Sequence, residues 1–152
     1  MGSGALSSVA GGGCRHARLM AEQVGAGGLV YAVDIAPNFV DASVRRARDH
    51  GLHNVVGVVN DQHSVKLPPD SVDLVFTSDT YHHFEYPRST LASIHEALRA
   101  DGELVVIDFI RIPGLSHPWV LRHVRAGEEQ VTTEIEAAGF ELTERLDFMR
   151  TQ

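Results

Sequence analysis

Residues 25–39, GAGGLVYAVDIAPNF, contain the pattern that decides the fold. The apolar run at 29–33 has the length and the β-branched composition of a buried strand. Glycines before it end one helix, and Pro37 suits the first turn of the next, where its missing N–H costs nothing. A helix, a continuous apolar strand and a second helix in this order are typical of a parallel sheet that is covered on both faces.

The same alternation continues along the chain. Further strands are predicted at 55–59, 72–77 and 103–109, and helices at 14–24, 38–50, 88–100 and 128–138. Gly51, the pair Asp101-Gly102 and Gly139 stand where helices end. We therefore predict one α/β domain over residues 1–152, a Rossmann-like three-layer α/β/α fold with a mostly parallel sheet.

The two ends of this sheet are unusual. Residues 5–10 carry only a weak strand pattern, although the topology makes this strand the central one, so residues 1–10 are predicted as a weak first strand or as disordered. Residues 140–149 predict a strand, after which the chain stops without the usual last strand of such a sheet. An unpaired edge is a template for pairing, so we predict an oligomer, most simply a dimer.

The composition narrows the classes of partner. A net charge of −7 argues against binding to nucleic acid or to an anionic membrane surface, and favours a small molecule or a neutral to basic partner. No apolar run reaches the length of about 18 residues that a membrane span needs. A single cysteine, Cys14, and the absence of a signal-peptide pattern predict a cytoplasmic protein.

Two features predict a nucleotide-type cofactor. Gly11, Gly12 and Gly13 precede a helix, where glycines let the backbone approach a ligand and the helix N-terminus offers free N–H groups. Asp34 ends the strand at 29–33, about 20 residues further on, where a carboxylate accepts hydrogen bonds from ribose hydroxyls. The alternative is that Asp34 caps the helix that begins near Pro37. The spacing itself does not distinguish NAD from other such cofactors.

Three longer stretches carry a family resemblance. Residues 25–39, 67–84 (LPPDSVDLVFTSDTYHHF) and 94–109 (IHEALRADGELVVIDF) resemble class I S-adenosylmethionine-dependent methyltransferases of the small-molecule type. The entries LPPDSVD and LRADGEL to the fourth and fifth strands are fairly specific to that group. The resemblance covers about residues 11–148 and implies transfer of a methyl group from S-adenosylmethionine to a small molecule.

The resemblance also implies roles for individual residues. Gly11–Gly13 would hold the methionine part of the cofactor and Asp34 the ribose, with Ile35 against the adenine. Asp61, with His63 close behind, would meet the adenine amine. The segment after the fourth strand would face the methyl group and the acceptor; its site residues are Asp79 on the cofactor side and Tyr81, His82 and His83 as the catalytic group.

The glycine motif departs from the family pattern. The family reads acidic–apolar–Gly–x–Gly–x–Gly, whereas residues 8–14 here read SVAGGGC. Ser8 replaces the acid, while Ala10 and Cys14 replace the first and third glycines. A side chain at Cys14 crowds a backbone that must lie close to the ligand, so we expect weakened cofactor binding and reduced activity.

Two other functions remain open on the sequence. One is a hydrolase that uses the histidines, Cys14 as a thiol nucleophile, or a metal on the same scaffold; the other is a non-catalytic binding module. Six of the nine histidines are candidates for a metal site, namely residues 16, 63, 82, 83, 117 and 123. No pair has a recognised ligand spacing, so we predict scattered histidines and no metal. Residues 111–127 predict either a basic substrate lid or a loop whose Trp119 and Leu121 complete the core.

Overall fold

The computed structural model describes residues 4–9 and 13–146, with the side chains of residues 15–146. In the described residues five strands are interspersed with helices, and only β3 and β4 follow each other without a helix between them. The elements are β1 (Gly4–Val9), α1 (Gly13–Val24), β2 (Leu29–Asp34), α2 (Pro37–Asp49), β3 (Val55–Val59), β4 (Val72–Ser78), a 3-10 turn (Tyr81–His83), α3 (Pro87–Ala97), β5 (Leu98–Ile107), α4 (Pro118–His123) and α5 (Glu128–Ala137). None of these helices is long and apolar enough to cross a membrane.

The strands form one parallel sheet in the order β3-β2-β1-β4-β5. The weak N-terminal pattern does form the central strand, with β2 on one side and β4 on the other. This is the strand order of a doubly wound α/β fold, and it confirms the predicted Rossmann-like class.

Side chains of β2 alternate between two separate cores. Val30 and Ala32 pack against α1 and α2 in a cluster that includes Ala17, Ala21 and Ala47. Val33 points to the other face and packs with Val75 of β4 and with Ile94 and Ala97 of α3. Because successive residues of a strand point to opposite faces, an apolar run without polar interruption requires cover on both sides. The three-layer prediction therefore holds.

Helix ends follow the predicted punctuation. Pro37 begins α2, and three glycines that follow helices take left-handed backbone angles, with φ of 68° at Gly25, 75° at Gly51 and 99° at Gly139. Other side chains would be strained at these angles, which is why glycine ends these helices cleanly.

The fifth strand differs from its prediction at both bounds. β5 begins at Leu98, where the sequence predicts a helix continuing to residue 100, and ends at Ile107 rather than at residue 109. Leu98 pairs with Val72 and Glu103 pairs with Leu74. The four residues 99–102 of β5 therefore bulge opposite the single residue Asp73 of β4. The pair Asp101-Gly102 therefore lies in an irregular stretch of the strand and not in a turn before it.

The strand predicted at 140–149 is wrong for the residues that the structure describes. Residues 140–146 have exposed or half-exposed side chains and no strand pairing, while 147–149 lie outside the described part. A cleft of about 1100 Å³ runs beside β5 and is lined by β5, α5 and residues 139–146. A strand needs a hydrogen-bonded neighbour, and this cleft separates the segment from the edge of the sheet.

We predict that Ile94→Ala destabilises the protein by about 2–5 kcal/mol, because it removes a fully buried side chain from the core between β4 and α3. Ile112→Ala is the matched control, since Ile112 is 45% exposed, and it should change the free energy of unfolding by less than about 1 kcal/mol. Urea unfolding of both variants measures the difference. Equal effects of the two substitutions would contradict the assignment of this core.

Candidate functional site

All five strands are parallel, so their carboxyl ends meet at one edge of the sheet. Asp34 ends β2, Asp61 follows β3, Asp79 follows β4 and Asp108 follows β5. Strand order reverses between β1 and β4, and in open α/β sheets the crevice at this point is where ligands bind. Four carboxylates therefore lie along the carboxyl edge of the sheet, two on either side of the end of β1.

Asp34 ends β2, the strand that pairs with the central strand β1. Its Oδ1 accepts a hydrogen bond from the backbone N–H of Ala36 at 2.8 Å. Burial raises the pKa of this carboxyl, and hydrogen bonds from the backbone of Ala36 and Ile35 oppose that shift. The N-cap of α2 is Ala36 and not Asp34, so the helix-capping alternative is wrong, although Asp34 does brace the turn before α2. The next residue, Ile35, is 54% exposed.

Asp61 and His63 lie in the loop after β3. Oδ1 of Asp61 accepts hydrogen bonds from the backbone N–H groups of His63 and Ser64, and Lys66 Nζ lies 3.3 Å from Oδ2. The hydrogen bond from the His63 backbone, followed by the one from Lys66, lowers the pKa of the exposed Asp61 carboxyl. The His63 ring packs on Tyr86 at a centroid distance of 4.0 Å and reaches Ser89. Asp61 and His63, which the sequence predicts beside the adenine amine, thus stabilise their own loop next to α3.

Asp79 combines backbone strain with a carboxylate oxygen that has no hydrogen-bond partner among the described residues. Its φ of 51° is in the left-handed region, and its Oδ1 is buried without a hydrogen bond. Its backbone N–H donates to the carbonyl of Ile107 at 2.9 Å. The preceding residue, Ser78, pairs with Val9, so Asp79 follows β4 directly beside the end of β1. Strain and an unpaired acceptor at a crevice are features of a binding residue.

Gly11 and Gly12 lie outside the described residues, as does the side chain of Cys14. Gly13 is the first residue of α1, so a helix does begin where the glycine motif predicts one.

His82 is held by two hydrogen bonds to one carboxylate. Its Nδ1 lies 2.7 Å from Oδ1 of Asp108, and its backbone N–H donates to Oδ2 of Asp108 at 2.9 Å. Since an ionised carboxylate only accepts, Nδ1 carries the proton, and in the neutral ring Nε2 then presents a lone pair. The side chain of His82 is buried, and in the part of the chain that the structure describes Nε2 has no hydrogen-bond partner.

Three histidine rings pack together at this point. The centroid of His82 lies 4.0 Å from that of His83 and 4.9 Å from that of His123, and His83 lies 5.1 Å from His123. We call these three residues the histidine cluster. Burial, followed by the charges of His82 and His123, lowers the pKa of His83. The prediction that the histidines are scattered is therefore wrong for three of the six candidates, because α4 folds back over the turn after β4.

Tyr81 lies apart from the histidine cluster although it is adjacent in sequence. Its side chain is 1% exposed, and its hydroxyl donates to Oε2 of Glu134 in α5 at 2.8 Å. Burial, together with the Glu134 carboxylate, raises the pKa of Tyr81 well above its usual range. Arg125 lies over the ring at 5.6 Å and binds Glu134 through both carboxylate oxygens. A phenol fixed in this way is a core residue, so we do not retain Tyr81 in the catalytic group.

The segment at 111–127 combines parts of both predictions. Val120, Val124 and Ala126 are its buried residues, so the expectation that Trp119 and Leu121 complete the core is wrong. Trp119 is 44% exposed and stacks on His123 at a centroid distance of 4.7 Å. Trp119 therefore covers the histidine cluster, and the buried side chains of Val120, Val124 and Ala126 hold the segment in place.

Asp108 and Glu134 have roles that the sequence reasoning missed. Asp108 is the last polar residue before Phe109 in a predicted strand, and an acid at the carboxyl end of a parallel strand is the signal that would have found it. Glu134 is one of four glutamates between 128 and 136, and nothing in its spacing distinguishes it.

Comparison with known proteins identifies the family. The sequence profile of the family described as "Methyltransferase domain" matches residues 8–106, which is more than half of the chain. The chain belongs to this family of methyltransferase domains. The resemblance drawn from the three sequence stretches is confirmed.

Two curated relatives are bacterial methyltransferases. The chain is 38% identical to aklanonic acid methyltransferase DauC of Streptomyces sp. (strain C5) over 58 residues, 38% of this chain and 26% of that one. It is 32% identical to nocamycin O-methyltransferase of Saccharothrix syringae over 107 residues, 70% of this chain and 38% of that one. The matched segments thus span less than two fifths of either relative.

A solved structure shares the fold. A SAM-dependent methyltransferase from Aquifex aeolicus has a TM-score of 0.79 at 23% identity, over 93% of this chain and 74% of that chain. Neither the family nor these three proteins support the hydrolase alternative.

We predict that Glu134→Gln destabilises the protein by about 1 kcal/mol at pH 7, because it removes a bidentate, partly exposed ion pair with Arg125. The ion pair and the Tyr81 hydroxyl hold the pKa of Glu134 near 2, against 4.5 for a free glutamate. A lowered pKa gives stability that is present above pH 4.5 and is lost as the pH falls toward 2.

The difference between wild type and Glu134→Gln should therefore shrink as the pH falls through this window, measured by urea unfolding at a series of pH values. Glu136→Gln, on the exposed side of the same helix, is the control and should show a smaller and flatter difference. A difference for Glu134→Gln that stays constant from pH 7 to pH 3 would contradict the assignment.

Proposed function

We propose that this protein transfers a methyl group from S-adenosylmethionine to a small-molecule acceptor. The observation that carries the proposal is the pairing of two half-sites across the point where strand order reverses. Asp34 and the start of α1 lie on one side, and the histidine cluster with Asp108 lies on the other. Membership of the methyltransferase family supports this reading.

The cofactor side uses backbone and carboxylate groups. We assign Gly11, Gly12 and Gly13 to the methionine part, where the first turn of α1 offers free N–H groups. Asp34 would accept hydrogen bonds from the ribose hydroxyls, and the exposed Ile35 would cover the adenine. Asp61 and His63 would border the adenine at the end of β3.

Asp79 is the residue between the two half-sites. Its buried, unpartnered Oδ1 is an acceptor for the amino group or the positive sulfonium region of the cofactor. An anion close to a cation in a partly dry crevice gives a stronger attraction than the same pair in water. In this role the strained backbone of Asp79 directs Oδ1 into the space between the two half-sites.

The acceptor side is formed by His82 and His83. Asp108 fixes the ring of His82, and Trp119 restricts the position of His123, so the rings present a shaped polar wall to an acceptor. Much of the acceleration of methyl transfer comes from holding the acceptor in line with the sulfonium. We assign His82 and His83 to contact with the acceptor, and Asp108 to the positioning of His82.

The acceptor is a small organic molecule in this proposal. Two relatives are named for aklanonic acid and nocamycin, which supports this class without choosing a member of it. The net charge of −7 argues against nucleic acid as the acceptor. We further propose a cytoplasmic location, in keeping with one cysteine in 152 residues.

We predict that S-adenosylhomocysteine binds to the purified protein and that Asp34→Asn weakens this binding at least tenfold. The amide oxygen of asparagine can still accept from Ala36, so the turn before α2 stays intact while the charge that binds the ribose is lost. Isothermal titration of wild type and variant measures the effect.

Asp41→Asn, an exposed position on α2, is the matched control and should bind as the wild type does. No binding to the wild type at millimolar ligand, or equal binding to all three proteins, would refute the cofactor assignment.

We also propose a homodimer that uses the unpaired edge of β5. The cleft between β5 and residues 139–146 has a volume of about 1100 Å³, and Leu142 and Leu146 line it although they are 44% and 59% exposed. A strand from a second copy would bury these side chains and pair with the edge.

Light scattering should therefore give twice the 16.6 kDa chain mass at high concentration, and Leu142→Glu should shift the protein toward monomer. Leu115→Glu is the control, because Leu115 is 81% exposed and does not line the cleft. A monomer at all concentrations would exclude this arrangement.

A further inference from the structure

The histidine cluster has a feature that methyl transfer does not require. Nε2 of His82 is a buried nitrogen for which the described residues provide no hydrogen-bond partner. His82 itself is 8% exposed, so water reaches it poorly. A buried polar atom without a partner costs about 1–3 kcal/mol, and such atoms in native proteins usually indicate a ligand, a water or an ion.

The surroundings of this nitrogen are those of a metal ligand. Metal-binding histidines commonly donate their other ring N–H to a carboxylate, which fixes the tautomer and makes the free nitrogen a better donor. The bond of 2.7 Å between Nδ1 of His82 and Oδ1 of Asp108 is such a contact. It leaves the lone pair of Nε2 directed away from Asp108.

Two further imidazoles complete the group. One ring nitrogen from each of His82, His83 and His123 can be chosen so that all three lie within 4.8 Å of one another. Among the side chains of residues 15–146, this is the one group of three or more histidine, cysteine or acidic ligands with that spacing. Tetrahedral zinc holds neighbouring nitrogens about 3.4 Å apart, because each Zn–N bond is about 2.1 Å. Small rotations of the exposed His83 and His123 side chains would bring the three nitrogens to this spacing.

We propose that the histidine cluster binds a divalent zinc ion through one nitrogen from each of His82, His83 and His123. Three neutral imidazoles suit zinc, which accepts tetrahedral geometry without a preference of its own. Three protein ligands leave a fourth position open, as in zinc sites that bind water or an oxygen donor. The site lies at the carboxyl edge of the sheet, so an oxygen or carboxylate group of a bound small molecule is the chemical class that would occupy this position.

The roles of the neighbouring residues follow. Asp108 is a positioning residue, because it touches His82 and not the ion. Trp119 stacks on His123 with an interplanar angle of 22° and limits the orientation of that ring. A bound ion would also connect the turn after β4 with α4, two elements that otherwise meet through ring packing.

Zinc binding can be measured without S-adenosylmethionine, so the result does not depend on the proposed methyl transfer. Chelator-treated wild-type protein is titrated with zinc chloride in an isothermal calorimeter at pH 7.5. We expect one zinc ion per chain at micromolar affinity or better.

His123→Ala and His83→Ala should each weaken binding at least tenfold. Because both side chains are exposed, both variants should fold. His53→Ala, an exposed histidine in the loop before β3, should bind as the wild type does.

A second readout separates the role of Asp108 from that of a general structural residue. Asp108→Asn keeps the shape of the side chain, and we expect it to weaken zinc binding about 10–100-fold. With cobalt(II) in place of zinc, the wild type should show the visible absorption of a low-coordinate ion, and His123→Ala should lose it. Equal zinc affinity in wild type and His123→Ala would overturn the proposal. So would a loss of affinity in His53→Ala as large as that in His123→Ala, and either result would leave the cluster as aromatic packing only.

Discussion

The parallel pairing of β4 between β1 and β5 is the constraint on which the rest of the structure depends. Because β1, β4 and β5 run in the same direction, Val9, Ser78 and Ile107, which end these strands, leave the sheet at the same edge. Asp79 and Asp108 are consequently neighbours of the same crevice, and the backbone bond from Asp79 to Ile107 fixes their relative height. Asp108 could not reach His82 if β4 or β5 were reversed or out of register.

The elements that were predictable from the sequence are those whose signals are local. β3 has the predicted bounds, and α1, α2 and α5 differ from prediction by a single residue at one or both ends. Continuous β-branched runs and glycines at left-handed positions are sufficient for this, because they act through steric limits within a few residues. The start of β5 could not be predicted in this way. Its bulge is fixed by pairing with β4, which no local pattern records.

The candidate site was only half predictable for the same reason. Glycines and Asp34 act through a spacing of about 20 residues within one βαβ unit, so the cofactor side is visible in the sequence. The histidine cluster joins a turn at 81–83 with a helix at 118–123 and an acid at 108, and only the folded chain brings them together. Tyr81 and His82 illustrate the limit most clearly. The two residues are adjacent, yet the Tyr81 hydroxyl lies in the core beside α5, whereas His82 bonds Asp108. The local 3-10 turn sets this difference, and residue type does not.

The ion pair between Arg125 and Glu134 has a mechanical consequence for this site. Arg125 follows α4 by two residues, while Glu134 belongs to α5 and also holds Tyr81 at the base of the turn. The covering segment and the turn beneath it are thus both held by hydrogen bonds to the Glu134 carboxylate. Neither can move away until these charge-assisted bonds break. A latch made of charges that are partly open to solvent loosens as ionic strength rises, whereas the apolar anchors Val120 and Val124 do not. Residues 111–127 are therefore attached to the rest of the domain by one salt-sensitive ion pair and by apolar contacts that salt does not weaken.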